Sequence, residues 1–280
     1  SPYVNSGYCS AINKIFTAWI DKLIMSSINT RSMRQKLIVL LIALPAIWPI
    51  VTPGYFSMHD ETQLARVHQM AQSLLTGQFP VRSVTDLGYG YGYPIFNFYN
   101  PLPYYIGGLF AIVTGNPLTG TQFMFTLPIL AALLGLYLLT RKQLGEIGAL
   151  AASTLYTYAP YHAVQIYVRG SVAEYWAYAV LPFLLHFLLQ KRTLAAGITL
   201  AILVLSHNLT TIMVIPVIGL VFFIQFITSK RKLFTIYYSL FTLLISLGLS
   251  AFFWLPATLE KHLTNVDAMV REDFNPLNHF

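Results

Sequence analysis

From Thr193 to Ser229 the chain carries no Asp, Glu, Lys or Arg. A membrane-spanning helix needs ~20 apolar residues to cross ~30 Å of hydrocarbon, and this run is too long for one such helix. Ser206, His207 and Asn208 interrupt it, so it reads as two spans joined by a polar turn. The rest of the chain agrees. Hydrophobic residues make up 56%, charged residues only 10%, and the mean hydropathy is +0.60. A soluble domain carries ~25% charged residues. A soluble fold of this length could not bury so much apolar surface, which excludes a cytosolic enzyme, a disordered chain and a DNA-binding domain. The net charge of +7 belongs to membrane-flanking loops rather than to a nucleic-acid face. The single cysteine, Cys9, excludes an internal disulfide framework and a multi-cysteine metal site. The chain does not begin with Met and reads as a piece of a longer protein.

Other charge-free stretches are Leu37 to Tyr55, Thr121 to Thr140, Ile147 to Tyr161, Tyr175 to Leu189, and Leu233 to Leu255, the last closed by Pro256. With the two spans of the long run, the expected fold is all-α and integral to the membrane, with about seven transmembrane helices. The apolar segment Pro101 to Thr114 would reach only ~21 Å as a helix. Charge places it. If it does not cross, and the N-terminus is cytoplasmic, twelve of the 17 basic residues fall inside, among them Arg141, Lys142, Lys191, Arg192 and Lys230 to Lys232. If it crossed, those later basic loops would lie outside, against the positive-inside rule. It is therefore expected as a juxtamembrane or re-entrant helix in a long outer loop, residues 56–120. Residues 1–36 form a cytoplasmic segment. Within it Ile12, Ile15, Phe16, Trp19, Ile20, Leu23 and Ile24 follow the spacing of an amphipathic helix lying on the inner leaflet. Residues 37–256 make the transmembrane module, and 257–280 an outer-face segment.

This topology gathers the reactive side chains on the outer face. The first outer loop opens with Ser57-Met58-His59-Asp60-Glu61, and a helix follows with Leu64, Val67, Ala71, Leu74 and Leu75 on one face and Gly77 as its stop. Asp60 has two compatible readings: a carboxylate at the membrane surface beside a bound head group, or the acidic member of an S-x-x-D capping box with Ser57. His59 reads as a surface histidine or a substrate contact. Tyr93, Asn97, Asn100 and Tyr104 belong to a dense Tyr/Asn/Pro stretch that suits either a sugar ring or an interfacial aromatic belt. In the second outer loop Arg169 and Glu174 stand at the mouth of the bundle, and either pair with each other or serve a ligand. His207-Asn208 is a polar cap or a phosphate contact. His186, in mid-span, reads as an interhelical hydrogen-bonding residue. No H-E-x-x-H, phosphate-loop, dinucleotide or nucleic-acid motif is present.

The order of these features resembles the GT-C membrane glycosyltransferases. The acidic His59-Asp60-Glu61, the Asn100-Pro101-Leu102-Pro103-Tyr104-Tyr105 stretch, the short helix ending at Gly115 and the span ending in Arg141-Lys142-Gln143-Leu144-Gly145 carry the resemblance. With Arg169-Gly170-Ser171-Val172-Ala173-Glu174, the chain is similar in particular to bacterial multi-pass proteins labelled 6-pyruvoyl-tetrahydropterin-synthase-related. The resemblance implies a plasma-membrane transferase, active face outward, moving a sugar from a polyprenyl-phosphate donor, with membrane lipid as its surroundings and no nucleic-acid partner. Asp60, with Glu61 beside it, would be the catalytic acid pair, and Arg169 the phosphate contact. A divalent metal (Mg or Mn) would fall to Asp60 and Glu174. The competing classes are a lipid-linked sugar transporter, which calls for ionisable residues deep in several spans, and a non-catalytic membrane scaffold.

Overall fold

The computed structural model describes residues 30–264, and among these the fold is helical, with one isolated antiparallel bridge between Val84 and Tyr93. Helix α1 is Thr30–Val51, α2 Gln63–Leu75, α3 Ile95–Phe98, α4 Leu102–Thr114, α5 Pro117–Thr157 and α6 Pro160–Ala163. A π-helix, Val164–Arg169, precedes α7 (Val172–Leu189), α8 (Thr193–Ser206), α9 (Asn208–Thr228), α10 (Lys232–Leu259) and a 3₁₀ turn, Lys261–Leu263. The chain divides into two units, Ser1–Leu44 and Pro45–Phe280. The boundary falls where Pro45 removes a backbone donor from α1. The expected amphipathic helix of residues 12–24 lies outside the described residues.

Among the described residues four helices are long and apolar enough to cross a membrane: α5, α7, α9 and α10. The expected count of seven is not reached by that measure, for local reasons. The two stretches read as separate spans on either side of Arg141-Lys142 run on as α5, broken only at Gly145, whose φ of 70° and ψ of −177° are not helical. Segments Leu41–Val51 and Thr193–Ser206 are apolar but shorter. Pro256 does not close α10, which continues to Leu259. The turn at His207 and the short helix before Gly115 are found where expected; Gly115 adopts the left-handed conformation that ends α4.

The packing that positions the site joins α2, α4 and α5. Helix α2 buries Val67, Met70 and Ala71, while Leu64 and Leu74 are half-buried and Leu75 is exposed. The apolar stripe is thus turned from the expected face toward Gln63 and Met70. Val67 can approach α4 because Gly107 has no side chain: a Cβ there would lie 2.8 Å from Val67 Cγ2. Across the same helix, a Cβ on Gly120 of α5 would lie 2.3 Å from the Gly107 carbonyl oxygen. Helix α7 is tied to α5 by the indole N–H of Trp176, which donates to the Met124 carbonyl at 2.9 Å. His186 bonds Gln190, one turn on, at 2.8 Å, and lies within hydrogen-bonding reach of the Leu138 backbone in α5, the interhelical contact expected of it.

Candidate functional site

The loops after α1, after α6 and after α8 meet at one end of the second unit. Backbone hydrogen bonds from His59 to the Val168 carbonyl (2.8 Å) and from Asp60 to the Arg169 carbonyl (3.1 Å) lay the opening of the first loop along the C-terminal end of the π-helix. Gly170, with φ of 65°, makes this close approach possible: a Cβ there would fall 2.4 Å from Met58 Sδ. Asn100 fixes the third loop, donating to the Val204 carbonyl at 2.9 Å and accepting from the Asn208 N–H at 3.3 Å.

Asp60 is the centre of the first cluster. Its Oδ2 accepts from Arg66 at 2.7 Å and from Gln63 Nε2 at 2.9 Å; its Oδ1 accepts from the Thr62 hydroxyl at 2.6 Å. Gln63 also donates to the Gly170 carbonyl at 2.7 Å and accepts from the Tyr104 hydroxyl at 2.7 Å. Arg66 lies 4.9 Å from the Tyr99 ring centroid, a cation–π distance. Burial works against its charge, but the Tyr104 hydroxyl, Tyr99 and Asp60 together hold the Arg66 pKa above its usual value. The capping box is not formed. Thr62 occupies the position before α2 without a side-chain cap bond, and Ser57 Oγ reaches Glu61 at 3.5 Å instead. The Asp60 carboxylate binds side chains of the first turn rather than its backbone N–H groups.

Arg169 and Glu174 form the second cluster and take the pairing reading. Arg169 donates to Glu174 at 3.0 Å and to the Tyr161 hydroxyl at 3.2 Å. Glu174 accepts also from Tyr161 at 2.8 Å and from Ser171 at 3.2 Å. The Arg169 side chain is 47% exposed, and that of Arg66 only 16%. His207 accepts the Thr210 backbone N–H at Nδ1 (3.3 Å) and so caps α9. Burial lowers its pKa, Glu174 raises it and Arg169 lowers it, so the imidazole lies within electrostatic reach of the second cluster.

The remaining expected sugar contacts divide. Tyr93 is exposed at the bridge to Val84. Asn97, Asn100 and Tyr104 are buried with their polar atoms engaged. Asn97 accepts from Arg82 Nε at 2.7 Å and donates to Glu260 at 2.8 Å, while Arg82 also pairs directly with Glu260. That triangle ties the first loop to the end of α10. His59 is exposed and Glu61 exposed. Sequence reasoning missed Gln63, Arg66 and Tyr99 as partners of the Asp60 cluster. The spacing of Gln63 and Arg66, three apart on one helical face, was the available signal.

A divalent metal does not fit the residues proposed for it. The Asp60 oxygens are occupied by Thr62, Gln63 and Arg66, and those of Glu174 by Arg169, Tyr161 and Ser171. An ion would have to displace a guanidinium from each carboxylate. Among the described residues no three His, Cys, Asp or Glu side chains converge on one point.

A protein of Lactococcus lactis subsp. cremoris (strain MG1363), described only as uncharacterized, is 26% identical over 255 residues. The match covers 85% of this chain and 41% of that protein, so this chain spans less than half the length of its relative. No solved structure matches. The family model described as "6-pyruvoyl-tetrahydropterin synthase related domain; membrane protein" matches residues 96–277, which take in α4 to α10, the π-helix and both Arg169 and Glu174. The chain belongs to this 6-pyruvoyl-tetrahydropterin-synthase-related family of membrane proteins.

Proposed function

We propose that this protein is a GT-C-type glycosyltransferase of the bacterial plasma membrane, moving a sugar from a polyprenyl-phosphate donor to an acceptor hydroxyl at the outer face. The N-terminus is cytoplasmic in this reading, and α1, the two parts of α5 and α8 complete a bundle of about seven spans. The observation that carries it is the placing of Asp60. Its carboxylate is held at the loop-bearing end of the bundle by Arg66, and its backbone N–H donates to the carbonyl of Arg169. A half-buried carboxylate and an exposed cation carried on hydrogen-bonded backbone segments suit a reaction that takes a proton at one point and releases an anion at another.

The acceptor oxygen forms a bond to the anomeric carbon, and its proton passes to Asp60. The bond from that carbon to the phosphate oxygen breaks, and polyprenyl phosphate leaves with the electron pair. Oδ1 is the oxygen suited to the proton, because it accepts only the Thr62 hydroxyl, which can rotate away; Oδ2 is fixed by two donors. Arg169 uses Nη1 for Glu174 and Tyr161. Its remaining donors are the natural contacts for the leaving phosphate.

The test is direct. Purified full-length protein in lipid nanodiscs, given a polyprenyl-phosphate sugar with a labelled sugar and a crude acceptor lipid fraction, should release polyprenyl phosphate and pass the label on. Binding of the donor with no release on any acceptor would favour the transporter. Absence of both would leave the polar network of Asp60, Gln63 and Arg66 as a scaffold.

A further inference from the structure

Most carboxylates at the loop-bearing end are satisfied. Asp60 pairs with Arg66, Glu174 with Arg169, Glu260 with Arg82, and Asp86 accepts from the Gln69 amide at 2.8 Å. Glu61 differs: the contact found for it among the described residues is the Ser57 hydroxyl, at the long distance of 3.5 Å. Glu61 lines a cleft of about 770 Å³ together with Ser57, His68, Leu64, Ala65 and Leu118. The volume is that of a small-molecule site.

The lining gives the cleft its chemistry. Leu64, Ala65 and Leu118 make an apolar wall, and the cleft sits between the residues that follow α1 and the start of α5. Neither Lys nor Arg lines it. The N-terminus of α5 contributes a partial positive charge, ~0.5 of an elementary charge, and Asn116 already caps the Leu118 N–H there at 2.9 Å. The full negative charge of Glu61 outweighs that, so the cleft repels phosphate and favours a cation. Glu61 is exposed, so its carboxylate keeps solvent and stands open to a cation that brings an apolar body for the wall.

We infer that this cleft binds an ammonium-bearing amphiphile, the head group against Glu61 and His68 and the alkyl part along Leu64, Ala65 and Leu118. The site is separate from the Asp60 and Arg169 clusters and holds whether or not sugar transfer occurs.

The experiment uses the full chain in nanodiscs and three probes of equal alkyl length: dodecylammonium, dodecyl phosphate and dodecyl maltoside, each carrying a photoreactive diazirine. Dodecylammonium should label peptides containing Glu61, His68 and Leu118 at probe concentrations at least tenfold below the other two. Glu61→Gln should raise the concentration needed by tenfold or more, in line with a charge-assisted contact. Ala65→Trp, at an exposed position, should block labelling by filling the cleft while the carboxylate remains. Equal labelling in wild type and Glu61→Gln would mean partition into lipid only and would overturn the inference. Preferential labelling by dodecyl phosphate or by the maltoside would overturn it in favour of an anion or sugar site. Labelling that survives Ala65→Trp would place the probe elsewhere and also overturn it.

Discussion

Replacing Arg66 should cost far more stability than replacing Arg169, although both are loop-end arginines paired with a carboxylate. Arg66→Ala removes the 2.7 Å ion pair to Asp60, the 3.3 Å hydrogen bond to the Tyr104 hydroxyl and the cation–π contact with Tyr99. It also leaves a carboxylate that is 27% exposed facing two remaining donors. Breaking a fully buried pair costs ~3–5 kcal/mol. Since Asp60 retains solvent and two other donors, we expect about 2–3 kcal/mol here. The Arg169–Glu174 pair is 47% exposed on the arginine side, and exposed pairs are worth ~0–1 kcal/mol. The assay is reversible unfolding in mixed micelles, with Asp60→Asn, Arg66→Met and the double variant forming a cycle. A coupling of ~1 kcal/mol or more is expected. Equal costs for Arg66→Ala and Arg169→Ala, or a coupling near zero, would refute the reasoning.

Gly120→Ala should destabilise by ~1–3 kcal/mol through overpacking, because the new methyl meets the Gly107 carbonyl, whereas Gly219→Ala, which meets nothing within 4 Å, should be neutral in the same unfolding assay. His207 and His162 both have pKa values lowered by burial. The unfolded chain therefore takes up protons first, and stability present above about pH 6.5 should fall as pH drops toward the folded values. His207→Asn, which keeps an N-cap acceptor, should flatten part of that fall when melting is followed between pH 7.5 and 5. Single cysteines at the exposed Ser83 and Val168, in a Cys9→Ser background, should react with an impermeant maleimide from outside, and those at Gln143 and Gln190 should not; reaction at Gln143 would reverse the proposed orientation.

The membrane character, the turn at His207 and the helix ending at Gly115 were legible because each follows from a local signal: absent charge, a polar break, a glycine stop. The end of α10 was not, since Pro256 cannot supply a backbone donor yet the helix continues to Leu259. The continuation of α5 past Arg141-Lys142 escaped the same reading, because charge marks where a chain leaves lipid rather than where its helix stops. At the site, Asp60, Arg169 and Glu174 were singled out by chemistry, but their partners were not. Arg82 and Glu260 meet across the whole transmembrane module, and Tyr104 reaches Gln63 from another helix. No periodicity records such contacts. Asn97, Asn100 and Tyr104 looked like ligand contacts because polar and aromatic groups were dense there; that density instead satisfies backbone and side-chain groups where loops cross.

In the proposed transfer the Asp60 carboxylate accepts the proton of the acceptor hydroxyl. Asp60→Asn keeps the size and an acceptor oxygen for Thr62, and Ser57→Ala leaves the carboxylate intact while removing the hydroxyl near Glu61. The measurement is the rate of sugar transfer at saturating polyprenyl-phosphate donor, per molecule of folded protein, in the two variants and the wild type. Asp60→Asn should lose ~10²–10⁴-fold in rate, and Ser57→Ala should stay close to wild type. An Asp60→Asn protein that transfers sugar at the wild-type rate would contradict that role and make Asp60 a structural partner of Arg66.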